Sequence, residues 1–121
     1  MSRVAVLGAG SWGTTLAVHL AGLEHQVALW DHDHPHLAQL EAHRENRKFV
    51  AGIALPAGIK VQPELEEALA GAEVVVFVVP SHAMRSVCRR VATIGSRALN
   101  VCAAKGLELE TLEPMTQVMQ S

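Results

Sequence analysis

Short, continuously apolar runs recur along the chain, separated by longer segments whose apolar residues fall at helical spacing. Such runs are typical of strands that are buried on both faces, because neither face then needs polar side chains. The pattern predicts five strands, at about Arg3–Leu7, Gln26–Asp31, Ile59–Val61, Val74–Val79 and Ala98–Ala104.

The segments between these runs predict helices, and several of them carry boundary signals. Pro80 ends the fourth strand, and Ser81 is expected to cap the helix that follows. The stretch from Asn46 to Gln62 is rich in glycine and proline, so it is predicted to be a loop outside its short strand. The predicted helices are Ser11–Leu23, Asp33 or His34 to about Arg44, the segment with Leu65, Ala68, Leu69 and Ala72, Ser81 to before Gly95, and about Thr111–Met119.

Alternating strands and helices predict an α/β protein with a doubly wound parallel sheet in the strand order 3-2-1-4-5. Ligands of such sheets bind where the strand order reverses, here between the first and fourth strands. The loops that leave these two strands are residues 8–10 and 79–81, and Lys105 follows the neighbouring fifth strand. We expect residues 1–121 to form one domain, because the chain is long enough for one core.

Composition narrows the class of protein. Hydrophobic residues make up 50% of the chain and charged residues 18%, which is typical of a globular protein and not of a disordered one. The net charge of −2 argues against a general nucleic-acid surface, and no apolar run is long enough to cross a bilayer. The first residues lack a signal-peptide pattern, and Cys88 and Cys102 lie in apolar stretches. We therefore expect a cytoplasmic protein with reduced cysteines.

Directly after the first strand, the sequence GAGSWG (residues 8–13) fits G-x-G-x-x-G, the fingerprint of a dinucleotide-binding turn. Gly8 would allow the tight turn, Gly10 would let the backbone approach a pyrophosphate, and Gly13 would let the helix pack on the strand. The helix that begins at Ser11 would offer free N–H groups and its positive dipole end to the phosphates. Trp12 could shield the pyrophosphate from water, cover the edge of the sheet, or do both.

The end of the second strand carries the next candidate residues. Asp31 follows the third glycine by 18 residues, close to where a carboxylate is expected to accept from a ribose hydroxyl. Three histidines alternate with aspartates and a proline from here to His36. This run supplies no suitably spaced pair of metal ligands on a regular helix or strand. We therefore predict a solvated turn at the start of a helix and no metal site.

Four stretches in order resemble the bacterial type of NAD(P)-dependent glycerol-3-phosphate dehydrogenase, over essentially all of the chain. They are the glycine turn with Thr14, Glu45-Asn46 through residues 52–56, residues 77–81 and residues 104–108. The resemblance implies a Rossmann-like cofactor-binding domain. It also implies an oxidoreductase that interconverts sn-glycerol 3-phosphate and dihydroxyacetone phosphate by hydride transfer, with NAD or NADP. In the family this reaction feeds glycerophospholipid synthesis.

The resemblance also assigns residues. It implies cofactor contacts from Ser11 and Trp12, from the end of the second strand, and from an aromatic residue at position 49. It further implies that Lys105 contacts both cofactor and substrate. From the turn, the crevice and the resemblance together, the predicted cofactor-binding residues are Gly8, Gly10, Ser11, Trp12, Gly13, Asp31, His32, Asp33, Phe49, Pro80 and Lys105.

The sequence departs from the family pattern at several points. Phe49 stands where the family often has tyrosine, and Ala51 where it often has proline. Bacterial members often carry an arginine near Asp33. Two aspartates there would repel a 2′-phosphate and accept from a free 2′-hydroxyl, which favours NAD over NADP. The family's second, helical domain carries the lysine that donates the proton, and this chain stops at Ser121. We therefore expect an isolated or truncated cofactor-binding domain without a catalytic residue, which could form a homodimer.

Two other functions remain open at this point, because one fold hosts many activities. The chain could be a free-standing dinucleotide-binding module that senses redox state or regulates a partner without catalysis. It could also belong to another dehydrogenase of similar layout, acting on a hydroxy acid or a sugar nucleotide. In that case Ser81 and Lys105 would need other roles.

Overall fold

The structure is a computed structural model of the chain, and it describes residues 2–95 and 97–103. A parallel sheet of five strands forms its centre, and a second sheet is an antiparallel hairpin of two strands. In chain order the elements are β1 (Arg3–Leu7), α1 (Ser11–Gly22), β2 (Gln26–Trp30), α2 (His34–His43), β3 (Glu45–Asn46), β4 (Val50–Ala54), β5 (Ile59–Val61), α3 (Leu65–Leu69), β6 (Val74–Phe77), α4 (Ser81–Ile94) and β7 (Leu99–Cys102).

The central sheet has the strand order β5-β2-β1-β6-β7. With the two hairpin strands set aside, this is the predicted order 3-2-1-4-5, so the doubly wound α/β fold is confirmed. Leu7 pairs with Trp30 on one side and with Phe77 on the other. This register brings the carboxyl ends of β1, β2 and β6 to the same edge of the sheet.

The core lies where the central strands meet the helices. Strands β1 and β6 are almost fully buried, as their continuous apolar sequences predict. Helix α4 buries Met84, Val87, Cys88 and Val91, which fall at helical spacing. The first helix was predicted to run to Leu23, but α1 ends at Gly22 and the side chain of Leu23 is 57% exposed. The residues that α1 does bury are small, namely Gly13, Thr14 and Ala17.

The segment from residue 45 to residue 54 corrects the sequence prediction. It forms the hairpin of β3 and β4, whereas the sequence predicts a loop. The hairpin has the composition of a loop because four of the five residues of β4 are exposed and Gly52 has a φ of +90°. β3 and β4 pair without the apolar side chains by which buried strands are recognised in a sequence.

The last described strand is also a correction. The sequence predicts a buried strand from Ala98 to Ala104, but β7 ends at Cys102, and Leu99 and Val101 are 66% and 39% exposed. Within the described residues, β7 pairs with β6 on one side and with no strand on the other, so it is an edge strand. Ala104, Lys105 and the predicted helix at about 111–119 lie outside the described residues.

Several boundaries shift by one or two residues. Strand β6 ends at Phe77, two residues earlier than predicted, and the cap of α4 is Pro80. Ser81 is instead the first helical residue. Among the described residues, no helix combines the length and apolar character that a membrane crossing requires.

Candidate functional site

A cavity of about 420 Å³ opens at the shared carboxyl edge of β1, β2 and β6. Every predicted cofactor residue within the described part of the chain lines it. These residues are Gly8, Gly10, Ser11, Trp12, Gly13, Asp31, His32, Asp33, Phe49 and Pro80. The remaining predicted residue, Lys105, lies outside the described residues. Four further residues, which the sequence analysis did not assign to the cofactor, complete the lining, namely His36, Lys48, Val78 and Val79.

The three glycines of the turn meet different surroundings. Gly8 has a φ of +127°, and a Cβ there would lie 2.7 Å from the backbone of Val78. A Cβ on Gly13 would overlap the carbonyl oxygen of Gly8. These two positions require glycine for the turn and for close packing of helix and strand, as predicted. A Cβ on Gly10, in contrast, would meet nothing within 4 Å.

The first turn of α1 faces this cavity with its amides available. Gly10 is the N-terminal cap of the helix and has no side chain that could accept from the backbone, and no acidic residue follows in the first turn. The first hydrogen bond of the helix runs from the N–H of Thr14 to the carbonyl of Gly10, at 3.1 Å. The N–H groups before it have no partner within the helix, so they favour an anion.

Asp31 supports the glycine turn from the end of β2. Its Oδ2 accepts from the N–H of Ala9 at 2.7 Å, and its Oδ1 accepts from the N–H of Asp33 at 2.9 Å. The side chain of His32 lies next to it, with Nδ1 3.3 Å from Oδ1. The sequence prediction gave Asp31 a role towards ribose only. Both of its oxygens are in fact used by the backbone, so this carboxylate holds the turn as well as lining the cavity.

Asp33 caps α2. Its Oδ1 accepts from the N–H of His36 at 3.1 Å, which explains why the helix begins at His34. At the other end Arg44 adopts the left-handed conformation, with a φ of +50°, and its guanidinium donates to the carbonyls of Pro56 and Ile59. These contacts fix α2 against β5 and so fix the position of the aspartate at the cavity.

Asn46 is a site residue that the sequence analysis noted within a motif but gave no role. It is completely buried, and its Nδ2 donates to the carbonyl of Ala9 at 2.9 Å and to Oγ1 of Thr14 at 2.8 Å. Its Oδ1 accepts from the N–H of Phe49 at 3.2 Å. One side chain thus joins the hairpin, the glycine turn and α1. An asparagine in a loop is too common a signal to have predicted this.

The histidine run is less solvated than predicted. His34 is exposed, but His36 is half-buried, and its Nε2 lies 2.8 Å from the carbonyl oxygen of Ala9. The ring of His36 also packs edge-on against Phe49, with centroids 5.4 Å apart. The Nζ of Lys48 lies 5.1 Å from the centroid of the same phenylalanine ring. Among the described residues, no group of three histidine, cysteine or acidic side chains could hold a metal ion.

Trp12 connects α1 to the end of β7. Its indole N–H donates to the carbonyl of Ala103 at 2.7 Å, while the side chain stays 44% exposed in the lining of the cavity. The predicted contact with the edge of the sheet is therefore present. Shielding of a pyrophosphate by this indole stays a prediction.

Cys88 and Cys102 form no disulfide bond with each other, as expected from the sequence. Cys88 is buried on α4, and Cys102 is half-buried at the end of β7. Burial raises the pKa of the Cys88 thiol above its ordinary value, because a thiolate there would lose its hydration, and the nearby Cys102 raises it further. The thiol of Cys88 is therefore neutral around pH 7.

Comparison with known proteins gives a consistent result. Residues 3–121 match the family described as NAD-dependent glycerol-3-phosphate dehydrogenase N-terminus. A glycerol-3-phosphate dehydrogenase [NAD(P)+] from Desulfotalea psychrophila is 44% identical over 117 residues, which cover 96% of this chain and 34% of that protein. The protein of the same name from Anaeromyxobacter sp. is 44% identical over 121 residues, with 98% and 36% covered.

The solved structures agree with the sequences. The crystal structure of glycerol-3-phosphate dehydrogenase from Coxiella burnetii superposes with a TM-score of 0.88 at 29% identity. The match covers 98% of this chain and 36% of that one. The chain therefore spans about a third of the length of the relatives it matches.

Proposed function

Because this chain belongs to the NAD-dependent glycerol-3-phosphate dehydrogenase family, whose N-terminal part it matches over residues 3–121, we propose that it is the cofactor-binding portion of such an oxidoreductase. The whole enzyme would interconvert sn-glycerol 3-phosphate and dihydroxyacetone phosphate by hydride transfer, with NAD or NADP. It would act in the cytoplasm and feed glycerophospholipid synthesis. A homodimer remains compatible with this proposal.

The open space at Gly10 is the observation that carries the proposal. Gly8 and Gly13 are glycines because the fold leaves no room for a Cβ, but nothing in the fold crowds a Cβ at Gly10. Gly22, Gly52 and Gly95 are equally open but do not line the cavity, whereas Gly10 does. A ligand that approaches the backbone closely explains the missing side chain at Gly10. The uncapped amides of the first turn of α1 make that ligand an anion, and the diphosphate of a dinucleotide fits both features.

The described residues fit the other parts of a dinucleotide as well. The rim of the cavity at Asp31, His32 and Asp33 would take the adenosine ribose, and Phe49 offers an exposed aromatic face beside it. Val78 and Val79, which directly follow β6, present an apolar wall on the other side of the turn. When bound, the nicotinamide ring supplies the carbon that donates or accepts the hydride.

The remaining chemistry is proposed for residues outside the described part of the chain. As the resemblance implies, the ammonium of Lys105 would hold the phosphate-bearing substrate beside the cofactor and polarise its carbonyl group. The proton would come from a lysine in a second domain, which would also close the site against water. This chain by itself should therefore bind the cofactor weakly and catalyse no turnover.

Calorimetric titration of the chain with NADH and NADPH tests the binding role. Gly10→Ala should leave the stability of the chain nearly unchanged, because a Cβ there meets nothing within 4 Å. It should lower the affinity for both cofactors at least tenfold, because the methyl group would occupy the path of the diphosphate. Gly22→Ala is a matched control at the other end of the same helix, where a Cβ also meets nothing within 4 Å. Unchanged affinity in a folded Gly10→Ala variant would contradict the proposal.

A turnover assay with dihydroxyacetone phosphate and reduced cofactor tests the assignment of chemistry. We expect no turnover by this chain alone. Robust turnover would show that the proton donor lies within these residues and that the second domain is not needed.

A further inference from the structure

We propose that Lys48 is a specificity-determining residue, whose ammonium binds the 2′-phosphate of NADP(H). The inference rests on the proposed function, since it concerns the ribose end of the same cavity. It departs from the preference for NAD that the two aspartates suggest in the sequence.

The first argument is the placement of Lys48. The N–H of Phe49 donates to Oδ1 of Asn46, so residues 46–49 close a turn around a side chain that is completely buried. Asn46 in turn donates to the carbonyl of Ala9 in the glycine turn. The backbone at Lys48 is therefore tied to the cofactor turn, and the lysine lines the cavity together with Asp31 and Asp33.

The second argument is the use of the two carboxylates. Both oxygens of Asp31 accept from backbone N–H groups, and one oxygen of Asp33 accepts from the N–H of His36. Each of these hydrogen bonds uses one of the lone pairs by which the carboxylates could accept from a ribose 2′-hydroxyl. The aspartates therefore select for a free hydroxyl less strongly than their presence in the sequence suggests.

The third argument is the supply of positive charge. Of the described residues that line the cavity, Lys48 is the one lysine or arginine. No carboxylate within the described ranges lies at salt-bridge distance from it, and its Nζ lies over the exposed ring of Phe49. An ammonium without a carboxylate partner can turn to a phosphate, which it binds as a point charge.

Titration of the whole chain with NADPH and NADH tests this assignment. Lys48→Met should lower the affinity for NADPH about tenfold and change the affinity for NADH by less than about twofold, because only NADPH carries the 2′-phosphate. Lys48→Arg should restore most of the affinity for NADPH, since it restores the charge. Lys60→Met is the matched control, because Lys60 is also exposed but lines a different cavity with Arg3.

A second pair of ligands separates the phosphate from the rest of the cofactor. Adenosine 2′,5′-bisphosphate should lose affinity on Lys48→Met, and AMP should not. If the affinities for NADPH and NADH fall equally, or neither falls, Lys48 does not bind the 2′-phosphate. The proposed function survives that result. If the wild-type chain binds neither dinucleotide, the proposed function is wrong and the role of Lys48 falls with it.

Discussion

The carboxylate of Asp31 accepts a hydrogen bond from the backbone N–H of Ala9 at 2.7 Å, so the end of β2 holds the middle of the glycine turn. The carbonyl of Ala9 is held as well, by Asn46 and by His36. Both backbone groups of one residue are thus fixed by side chains from three other segments. This arrangement keeps the flanking glycines in place although they have no side chains of their own to pack.

Asp31→Asn should lower the free energy of unfolding by about 1–3 kcal/mol, because the N–H groups of Ala9 and Asp33 meet different oxygens and the amide would place an NH2 group against one of them. The affinity for NADH and NADPH should fall with it, since the turn loses its support. Asp33→Asn removes the same charge but keeps a good helix cap, so its stability should stay within about 0.5 kcal/mol of the wild type. Urea denaturation measures both variants, and equal losses would contradict this division of roles.

The sequence was sufficient for the architecture because the central strands are buried on both faces. Strand β6 is apolar throughout and β1 is apolar after Arg3, and such runs separated by helical periodicity allow few topologies. Gly8 and Gly13 were also assigned correctly, since their roles follow from the geometry of a strand that turns directly into a helix.

The sequence did not predict features that depend on contacts between residues far apart in the chain. The hairpin of β3 and β4 is short and exposed, so it lacks the alternation that identifies strands. Strand β7 is apolar except for Asn100, but burial depends on neighbours that a sequence pattern does not specify. Asp31 and Asn46 carry their structural roles through hydrogen bonds to Ala9, and no spacing rule predicts such contacts.

Asn46→Asp should cost about 3 kcal/mol of stability at pH 7, because a buried carboxylate would replace the amide that donates to Ala9 and Thr14. Protonation of the new acid would restore a donor. The folded variant would therefore bind this proton more tightly than the unfolded chain, and its stability should recover as the pH falls from about 6 to about 4. Asn100→Asp, at an exposed position of β7, should change stability by less than about 0.5 kcal/mol. A loss in Asn46→Asp that does not depend on pH would contradict this explanation.

The raised pKa of Cys88 predicts a loss of stability in alkaline solution. The unfolded chain ionises this thiol at its ordinary pKa, about 8.5, while the folded chain keeps the proton to higher pH. The stability that the neutral Cys88 thiol contributes is therefore complete below about pH 8 and declines as the pH rises above that value. Denaturation between pH 7 and pH 10 should show a smaller decline for Cys88→Ala than for the wild type. Cys102→Ala should change the decline less, since burial of Cys88 is the larger cause, and identical slopes in all three proteins would contradict the assignment.

The two tryptophans should report cofactor binding differently, because Trp12 lines the cavity and Trp30 is completely buried. Titration with oxidised cofactor should change the fluorescence of the wild type. In Trp12→Phe the remaining emission should come from Trp30 at shorter wavelength and should not respond. This variant also loses the hydrogen bond to Ala103, which should cost about 1 kcal/mol. Trp30→Phe should keep the response. A response that survives in Trp12→Phe at unchanged amplitude would place the cofactor away from the first turn of α1.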